Sequence, residues 1–142
     1  MEKLKAEVTR LTDMELETAL DKWGLNHSDH ESAAVLREEI EEAHEEMINT
    51  EYLFNELWRG VKTNCDPSEK RNTYTGIYNT AVNLACEAIQ AAAMARKGIL
   101  SNIEIYKEDN KQNALDCAKC EDGINAACVV DGCKHKERGG EL

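Results

Sequence analysis

Apolar residues recur along most of this chain at alternating intervals of three and four, the spacing that places them on one face of an α-helix. The longest run is interrupted by a single polar residue, Thr50, and follows a heptad pattern. Its members are Ala33, Leu36, Ile40, Ala43, Met47, Thr50, Phe54, Leu57 and Val61. A second run with the same spacing comprises Tyr74, Ile77, Ala81, Leu84, Ala88, Ala91 and Ala95. The two runs predict long helices over residues 29–64 and 67–97, packed antiparallel because the connection between them is short.

The residues at the ends of these runs are typical helix boundaries. Ser28 with Glu31 three positions later forms a capping box, in which the serine hydroxyl accepts a hydrogen bond from a backbone N–H. Asp66-Pro67 provides an N-cap followed by a proline at the first helical position. Gly98 follows the second run, so we expect the second long helix to end there.

A shorter helix is predicted before the two long ones. Thr12 and Glu15 form another capping box, and Gly24 is a typical residue for the helix end. We therefore divide the chain into a helical core domain, residues 1–100, and a cysteine-containing C-terminal extension, residues 101–142. One short and two long helices leave apolar surface uncovered, which predicts a homodimer or homotetramer with a four-helix-bundle core.

Composition agrees with an all-α fold and narrows the range of partners. The chain has one proline and one phenylalanine, whereas helix-forming Ala, Glu, Leu and Lys are plentiful. Its net charge of −11 argues against binding to a nucleic-acid backbone or an anionic membrane. No apolar run approaches the roughly 20 residues of a membrane span, and no secretory signal is apparent. We therefore expect a cytoplasmic protein, in which thiols or metal-bound cysteines are favoured over disulfides.

Negative charge is concentrated on the first long helix. Residues 29–51 contain nine Asp or Glu and one Arg. Glu38, Glu39 and Glu42 fall within an arc of roughly 100° on that helix and flank its seam. Like charges at this spacing repel one another. A divalent cation could offset the repulsion, and so could solvent together with lysine side chains.

The second long helix carries a matching polar stripe, formed by Asn79, Asn83, Glu87 and Gln90. Such a stripe on an alanine-rich helix either lines a polar cavity or forms a structural hydrogen-bond network. Antiparallel packing predicts that Glu39, Glu42 and Glu87 face one another, with Glu38 at the rim.

These acidic residues resemble a known signature. Glu38-Glu39-x-x-Glu42 followed by Glu87-x-x-Gln90 is similar to the EExxE…ExxD pattern of MazG-like, all-α nucleoside triphosphate pyrophosphohydrolases. The resemblance covers residues 28–97 and implies a dimer or tetramer whose two acidic helices hold Mg²⁺. It implies Glu38, Glu39, Glu42 and Glu87 as catalytic magnesium ligands, with Asn83 and Gln90 near the bound nucleotide. Water attack would then release pyrophosphate and a nucleoside monophosphate.

Two departures from the family pattern bear on this expectation. Gln90 stands where the family has Asp, and the interval between Glu42 and Glu87 is long. The chain also resembles small phage and prophage proteins. The alternative function is therefore a non-catalytic phage-type binding protein that sequesters a nucleotide or inhibits a host factor.

The residues that would contact the nucleotide itself are left open by the sequence. Arg59, Lys62, Arg96 and Lys97 are candidates for binding phosphate. The aromatic residues Trp23, Trp58 and Tyr52 are candidates for stacking on a base, although each is equally suited to a core or interface.

Four cysteines in the C-terminal extension form a separate candidate site. Cys117, Cys120, Cys128 and Cys133 lie within 17 residues, a density typical of a tetrahedral Zn²⁺ site. Their spacing departs from that of a standard zinc finger. The alternative is that Cys117 and Cys120 are small apolar residues on one helical face.

Overall fold

The computed structural model describes residues 1–118, which form three α-helices joined by short turns. The helices are α1 (Glu2–Trp23), α2 (Asp29–Lys62) and α3 (Pro67–Ala118). Residues 1–118 contain no strand, so the all-α prediction is confirmed. None of these helices combines the length and the apolar character needed to cross a membrane.

The chain divides into two compact units, residues 1–102 and residues 103–142. The candidate site described below lies entirely in the first unit. The cysteines predicted to bind Zn²⁺ lie outside the residues whose side chains the structure describes.

The predicted starts of the two long helices are confirmed by their capping contacts. Ser28 Oγ accepts a hydrogen bond from the Glu31 backbone N–H at 3.1 Å. Asp66 Oδ1 accepts one from the Ser68 backbone N–H at 2.7 Å, directly before α3. Each cap satisfies a backbone donor that the first helical turn leaves without an intrahelical partner.

Two other predicted boundaries are wrong. The N-terminal helix is not short: α1 begins at Glu2, and the hydroxyl of the buried Thr12 donates to the Val8 carbonyl at 3.0 Å instead of capping a helix. Gly98 does not end α3, which continues to Ala118. A Cβ placed at Gly98 would make an ordinary van der Waals contact with Ser32 Cβ on α2, at 3.6 Å, so the helix pair has room for a side chain there.

Contacts along their length confirm that α2 and α3 are antiparallel. Near one end, Asn102 Nδ2 donates to Asp29 Oδ1 at 3.0 Å. At the centre, Thr50 Oγ1 donates to Thr80 Oγ1 at 2.9 Å. The helices therefore run side by side from the first turn of α2 to the short connection before Pro67.

The face of α2 that packs inward differs from the predicted seam. It retains the heptad spacing and consists of Leu36, Glu39, Ala43, Glu46, Thr50, Leu53, Leu57 and Gly60. Five of the nine predicted seam residues point outward instead: Ile40, Met47 and Phe54 are each more than 50% exposed, Val61 is 44% exposed, and Ala33 is exposed as well. Leu36 and every seventh residue after it belong both to the predicted seam and to the observed inward face. The remaining positions differ, and the predicted seam, which is the more apolar of the two, is wrong there.

The same correction applies to α3. Its inward face comprises Thr73, Ile77, Thr80, Leu84, Glu87, Ala91, Met94 and Ser101, whereas the predicted seam residues Tyr74, Ala81 and Ala88 are exposed. The α2–α3 interface is thus more polar than the sequence predicts, and it contains acidic side chains from both helices.

α1 is attached to this pair by a small apolar core. Leu16 and Ala19 of α1 are buried together with Ala93 and Met94 of α3, and Val35 of α2 packs against them. This packing places the C-terminal half of α1 beside the acidic segment of α2.

Candidate metal centre

Three carboxylates meet between α2 and α3. Glu39, Glu42 and Glu87 each contribute one oxygen to a group whose members lie within 4.8 Å of one another. Glu39 and Glu42 share a face of α2 because residues three apart on a helix are neighbours. The inward orientation of Glu87 on α3 completes the group. This set is called the carboxylate cluster below.

The other residues predicted for the site are placed differently. Glu38 is exposed and lines the adjoining cleft without joining the carboxylate cluster, and Gln90 is partly buried in the same cleft. Asn83 is exposed, and its Nδ2 donates to Glu46 Oε1 at 3.4 Å. Asn79 is also exposed. The predicted polar stripe therefore splits, with Glu87 and Gln90 facing inward and the two asparagines facing outward.

Within the carboxylate cluster, buried oxygen atoms lack hydrogen-bond partners. Oε2 of Glu39 and Oε2 of Glu87 are both buried without a partner among the described residues, as is Oε2 of nearby Glu46. An unsatisfied buried polar atom costs free energy, and a charged one costs more. A cation bound here would satisfy these oxygens directly.

The pKa values of the cluster reflect the same crowding. Burial raises the pKa of Glu39, and the charges of Glu42 and Glu87 raise it further. Burial also raises the pKa of Glu87, followed by the charge of Glu42 and hydrogen bonding with it. Hard divalent cations such as Mg²⁺ take oxygen ligands, commonly one or two carboxylates together with water and substrate phosphates. The donor set therefore fits such an ion.

Glu46 lies close enough to the carboxylate cluster for its charge to contribute to the raised pKa of Glu87, after burial and the effects of Glu42, and the sequence reasoning missed its inward position. It lies seven residues after Glu39, on the same inward line of α2. Treating acidic residues as possible seam members would have revealed a heptad line through Glu39, Glu46 and Leu53. The assumption that a seam must be apolar concealed it.

A cleft of about 410 Å³ adjoins the carboxylate cluster, and its wall includes Glu39 and Glu42. The volume lies within the range of small-molecule sites. Farther along the cleft, α1 contributes Trp23 and α3 contributes Met94 and Lys97. Acidic groups also lie near the ammonium group, because Glu31 lines the cleft and the Lys97 charge helps to lower its pKa, after its hydrogen bonds with His27.

The four basic residues that the sequence offers for binding phosphate are placed differently in the structure. Lys97 lines the cleft and is only 4% exposed. Arg96 forms an ion pair with Asp13 on α1, and Arg59 forms one with Glu56. Lys62 lies in the last turn of α2, at the opposite end of that helix from the cleft. Trp23 likewise lines the cleft, whereas Trp58 and Tyr52 do not.

A buried hydrogen-bond network fixes the backbone near Lys97. The Asn26 backbone N–H donates to Ser101 Oγ at 2.9 Å, and Ser101 Oγ donates to the Lys97 carbonyl at 2.8 Å. Asn26 Nδ2 donates to Ser32 Oγ at 2.9 Å. These contacts connect the α1–α2 turn to both long helices. The sequence reasoning missed this network, although Ser101 continues the heptad line of α3.

Comparisons of the chain with protein-family models, curated proteins and solved structures return no match. Functional inference therefore rests on the geometry of the carboxylate cluster and the cleft.

Proposed function

We propose that this protein is a magnesium-dependent, MazG-like nucleoside triphosphate pyrophosphohydrolase. The observation that carries the proposal is the carboxylate cluster, in which two helices bring three acidic side chains together. Two of these side chains have a buried oxygen that no donor among the described residues satisfies. The adjoining cleft is large enough for a small molecule. Trp23 and Lys97 also line it, and they are an aromatic ring for a base and an ammonium group for a phosphate.

The reaction requires a bound cation, an activated water and a leaving group. Glu39, Glu42 and Glu87 would hold a magnesium ion, which when bound would supply Lewis-acid stabilisation of charge on the phosphate oxygens. Glu38 lines the cleft outside the carboxylate cluster, so its carboxylate orients the attacking water and accepts a proton from it. A bond forms between the water oxygen and the α-phosphorus. The bond from that phosphorus to the bridging oxygen breaks, and pyrophosphate leaves with the electron pair.

One observation favours the second candidate, a non-catalytic phage-type binding protein. Gln90 lines the cleft where the resemblance implies an aspartate. A neutral amide is a weaker magnesium ligand than a carboxylate. A site lacking that charge binds a nucleotide without turning it over, and the protein then sequesters the nucleotide or inhibits a host factor.

The two functions are separated by one assay. The protein is incubated with Mg²⁺ and a panel of nucleoside triphosphates, and both released pyrophosphate and retained intact nucleotide are measured. The enzyme releases pyrophosphate, and Glu42→Gln abolishes the release while the exposed control Glu45→Gln leaves it unchanged. Tight retention of intact nucleotide without pyrophosphate supports the binding protein instead.

We also propose that the protein is a homodimer. We propose that it is located in the cytoplasm, which is the host cytoplasm if the protein is phage-encoded. An outer stripe on α2 consists of Ile40, Met47, Phe54, Trp58 and Val61, all at least 44% exposed. It extends about 32 Å along the helix and has the heptad spacing of a helix–helix interface. Pairing of two such stripes would complete a four-helix bundle around the α2–α3 pairs of both copies.

A further inference from the structure

The α2–α3 pair has one broad apolar face that points away from α1. α1 packs on the other side of the pair, where Val35 of α2 and Gln90 of α3 line the cleft. Because successive residues of a helix are turned by roughly 100°, the outer stripe of α2 lies on the opposite side from Val35. A strip of α3 lies on the opposite side from Gln90 and is exposed. It consists of Tyr74, Tyr78, Ala81, Ala85, Ala88 and Ala92. The outer stripe and this α3 strip together are called the open face below.

The open face is large enough for a stable protein interface. Phe54, Trp58, Tyr74 and Tyr78 are each between 53% and 69% exposed. Full burial of an aromatic side chain covers roughly 150–250 Å², so these four alone offer roughly 350–600 Å². The aliphatic residues of the outer stripe and the alanines of α3 add to this area. The total approaches the roughly 800 Å² that each partner buries in a standard interface.

Side-chain size is distributed unevenly along the open face. The aromatic side chains lie at the end next to the α2–α3 connection, because Thr50 lies beside Thr80 and the aromatic positions of both helices fall between this level and the connection. They are Phe54 and Trp58 on α2 and Tyr74 and Tyr78 on α3. Toward the other end, the α3 strip presents only alanines. They are Ala85, Ala88 and Ala92.

We propose that two copies pack their open faces with one copy turned end for end, an arrangement that rests on the homodimer proposed above. The two-fold axis is perpendicular to the helices and level with Met47, the middle residue of the heptad line from 33 to 61. Each α2 then pairs antiparallel with the α2 of the second copy, and each α3 with its α3. Tyr78 packs on the partner's Ala88 and Tyr74 on the partner's Ala92. A two-fold interface makes each of these contacts twice.

Two copies that point the same way fit less well. In that arrangement α2 packs on the partner's α3 at the same level, which places Phe54 against the partner's Tyr74. All the bulky side chains meet at one end, and the alanines at the other end are left loosely packed. Interfaces, like protein interiors, favour dense packing without gaps. Turning one copy end for end avoids the mismatch, and it also covers Ile40 with the partner's Phe54.

The polar residues on this side of α2 agree with the end-for-end arrangement. His44 and Glu51 occupy heptad positions between the apolar residues of the outer stripe. In this arrangement His44 lies next to the partner's Glu51, and an imidazole N–H can donate a hydrogen bond to the carboxylate. The carboxylate clusters of the two copies lie at opposite ends of the bundle, separated along its axis by roughly 20 Å.

The test exchanges a large side chain and a small one across the proposed interface. Sedimentation velocity of the full-length protein measures the dissociation constant of the dimer. Ala88→Tyr should weaken dimerisation at least tenfold, because the new ring collides with the partner's Tyr78. Combining Ala88→Tyr with Tyr78→Ala should restore most of the affinity, because the ring and the space for it have changed places. Ala34→Tyr is the matched control, since Ala34 is exposed on α2 outside the open face, and it should dimerise like the parent.

Photo-crosslinking distinguishes the two directions independently. Phe54 is replaced by benzoylphenylalanine in a mixture of isotopically light and heavy copies, so that cross-links between copies are identified by mass. We expect attachment to the partner's α2 near Ile40. Attachment to the partner's α3 near Tyr74, or a double variant that dimerises no better than Ala88→Tyr, would overturn the arrangement and leave the homodimer standing. A parent protein that is monomeric at micromolar concentrations would overturn both, whereas pyrophosphate release, measured separately, decides the proposed reaction.

Discussion

Replacing Glu39 with glutamine should stabilise the metal-free protein. The charges of Glu39, Glu42 and Glu87 converge to within 4.8 Å. Two unit charges at that distance repel by about 0.9 kcal/mol at the dielectric constant of water and by about 3.5 kcal/mol at an effective value of 20. Glu42 is exposed to solvent, which screens the interaction. We therefore expect Glu39→Gln to raise the free energy of unfolding by about 1–2 kcal/mol at neutral pH.

The same substitution should change how stability depends on pH. The pKa of Glu39 is raised by burial and by its acidic neighbours, so the folded state retains a proton that the unfolded state has already released. The free energy of unfolding of the parent protein then falls as pH rises from the ordinary glutamate value through this raised pKa. Glu39→Gln removes that part of the decline. The difference in the free energy of unfolding between the variant and the parent is therefore greatest near neutral pH.

Thermal unfolding in the presence of EDTA measures both effects. For a chain of this length, 1–2 kcal/mol corresponds to a rise in Tm of roughly 2–8 °C. Glu45→Gln is the matched control because it removes the same charge from an exposed position on α2. The reasoning is refuted if Glu39→Gln lowers Tm, or if Glu45→Gln raises it equally, since the latter result would indicate a general charge effect.

Three further substitutions test other parts of the structure. Phe54→Glu on the outer stripe should convert a dimer into a monomer in light scattering, and a parent protein that is monomeric at micromolar concentrations would contradict the proposed interface. Gly98→Ala should raise the free energy of unfolding by about 0.5–1 kcal/mol in chemical denaturation, because Gly98 is helical with room for a methyl group. A decrease in the free energy of unfolding would contradict a continuous helix at this position. A double-mutant cycle of Thr50→Val and Thr80→Val should give a coupling energy of about 0.5–1.5 kcal/mol from their hydrogen bond, and zero coupling would mean that the bond is absent in solution.

The helices with strong local signals could be predicted from the sequence. Ser28 and Asp66 cap α2 and α3 through contacts within a few residues, so their effect requires no knowledge of the fold. Thr12 shows the limit of the same reasoning. Its sequence context suits a cap, but helix-forming residues before it extend α1 back to Glu2, and propagating an existing helix is easier than nucleating a new one.

The rotation of the two long helices could not be predicted from spacing alone. Ile40 and Glu39 both fit a heptad line with Leu36, and the apolar side chain is ordinarily the better choice for an interface. In the structure Ile40 is 53% exposed whereas Glu39 is partly buried. α1 packs against both long helices, and this tertiary contact is not encoded in the periodicity. The predicted meeting of Glu39, Glu42 and Glu87 is present in the structure, although the seams from which it was derived are partly wrong. The burial of Lys97 became apparent only with the tertiary structure.

The central claim is that Glu39, Glu42 and Glu87 form a divalent-cation site. Titration with Mn²⁺, followed by electron paramagnetic resonance as a spectroscopic substitute for Mg²⁺, tests it most directly. The structure predicts saturable binding to the parent protein and to Glu45→Gln, competition by Mg²⁺, and loss of binding in both Glu42→Gln and Glu87→Gln. Saturable binding that persists in both cluster variants, or no saturable binding to the parent protein, would contradict the claim.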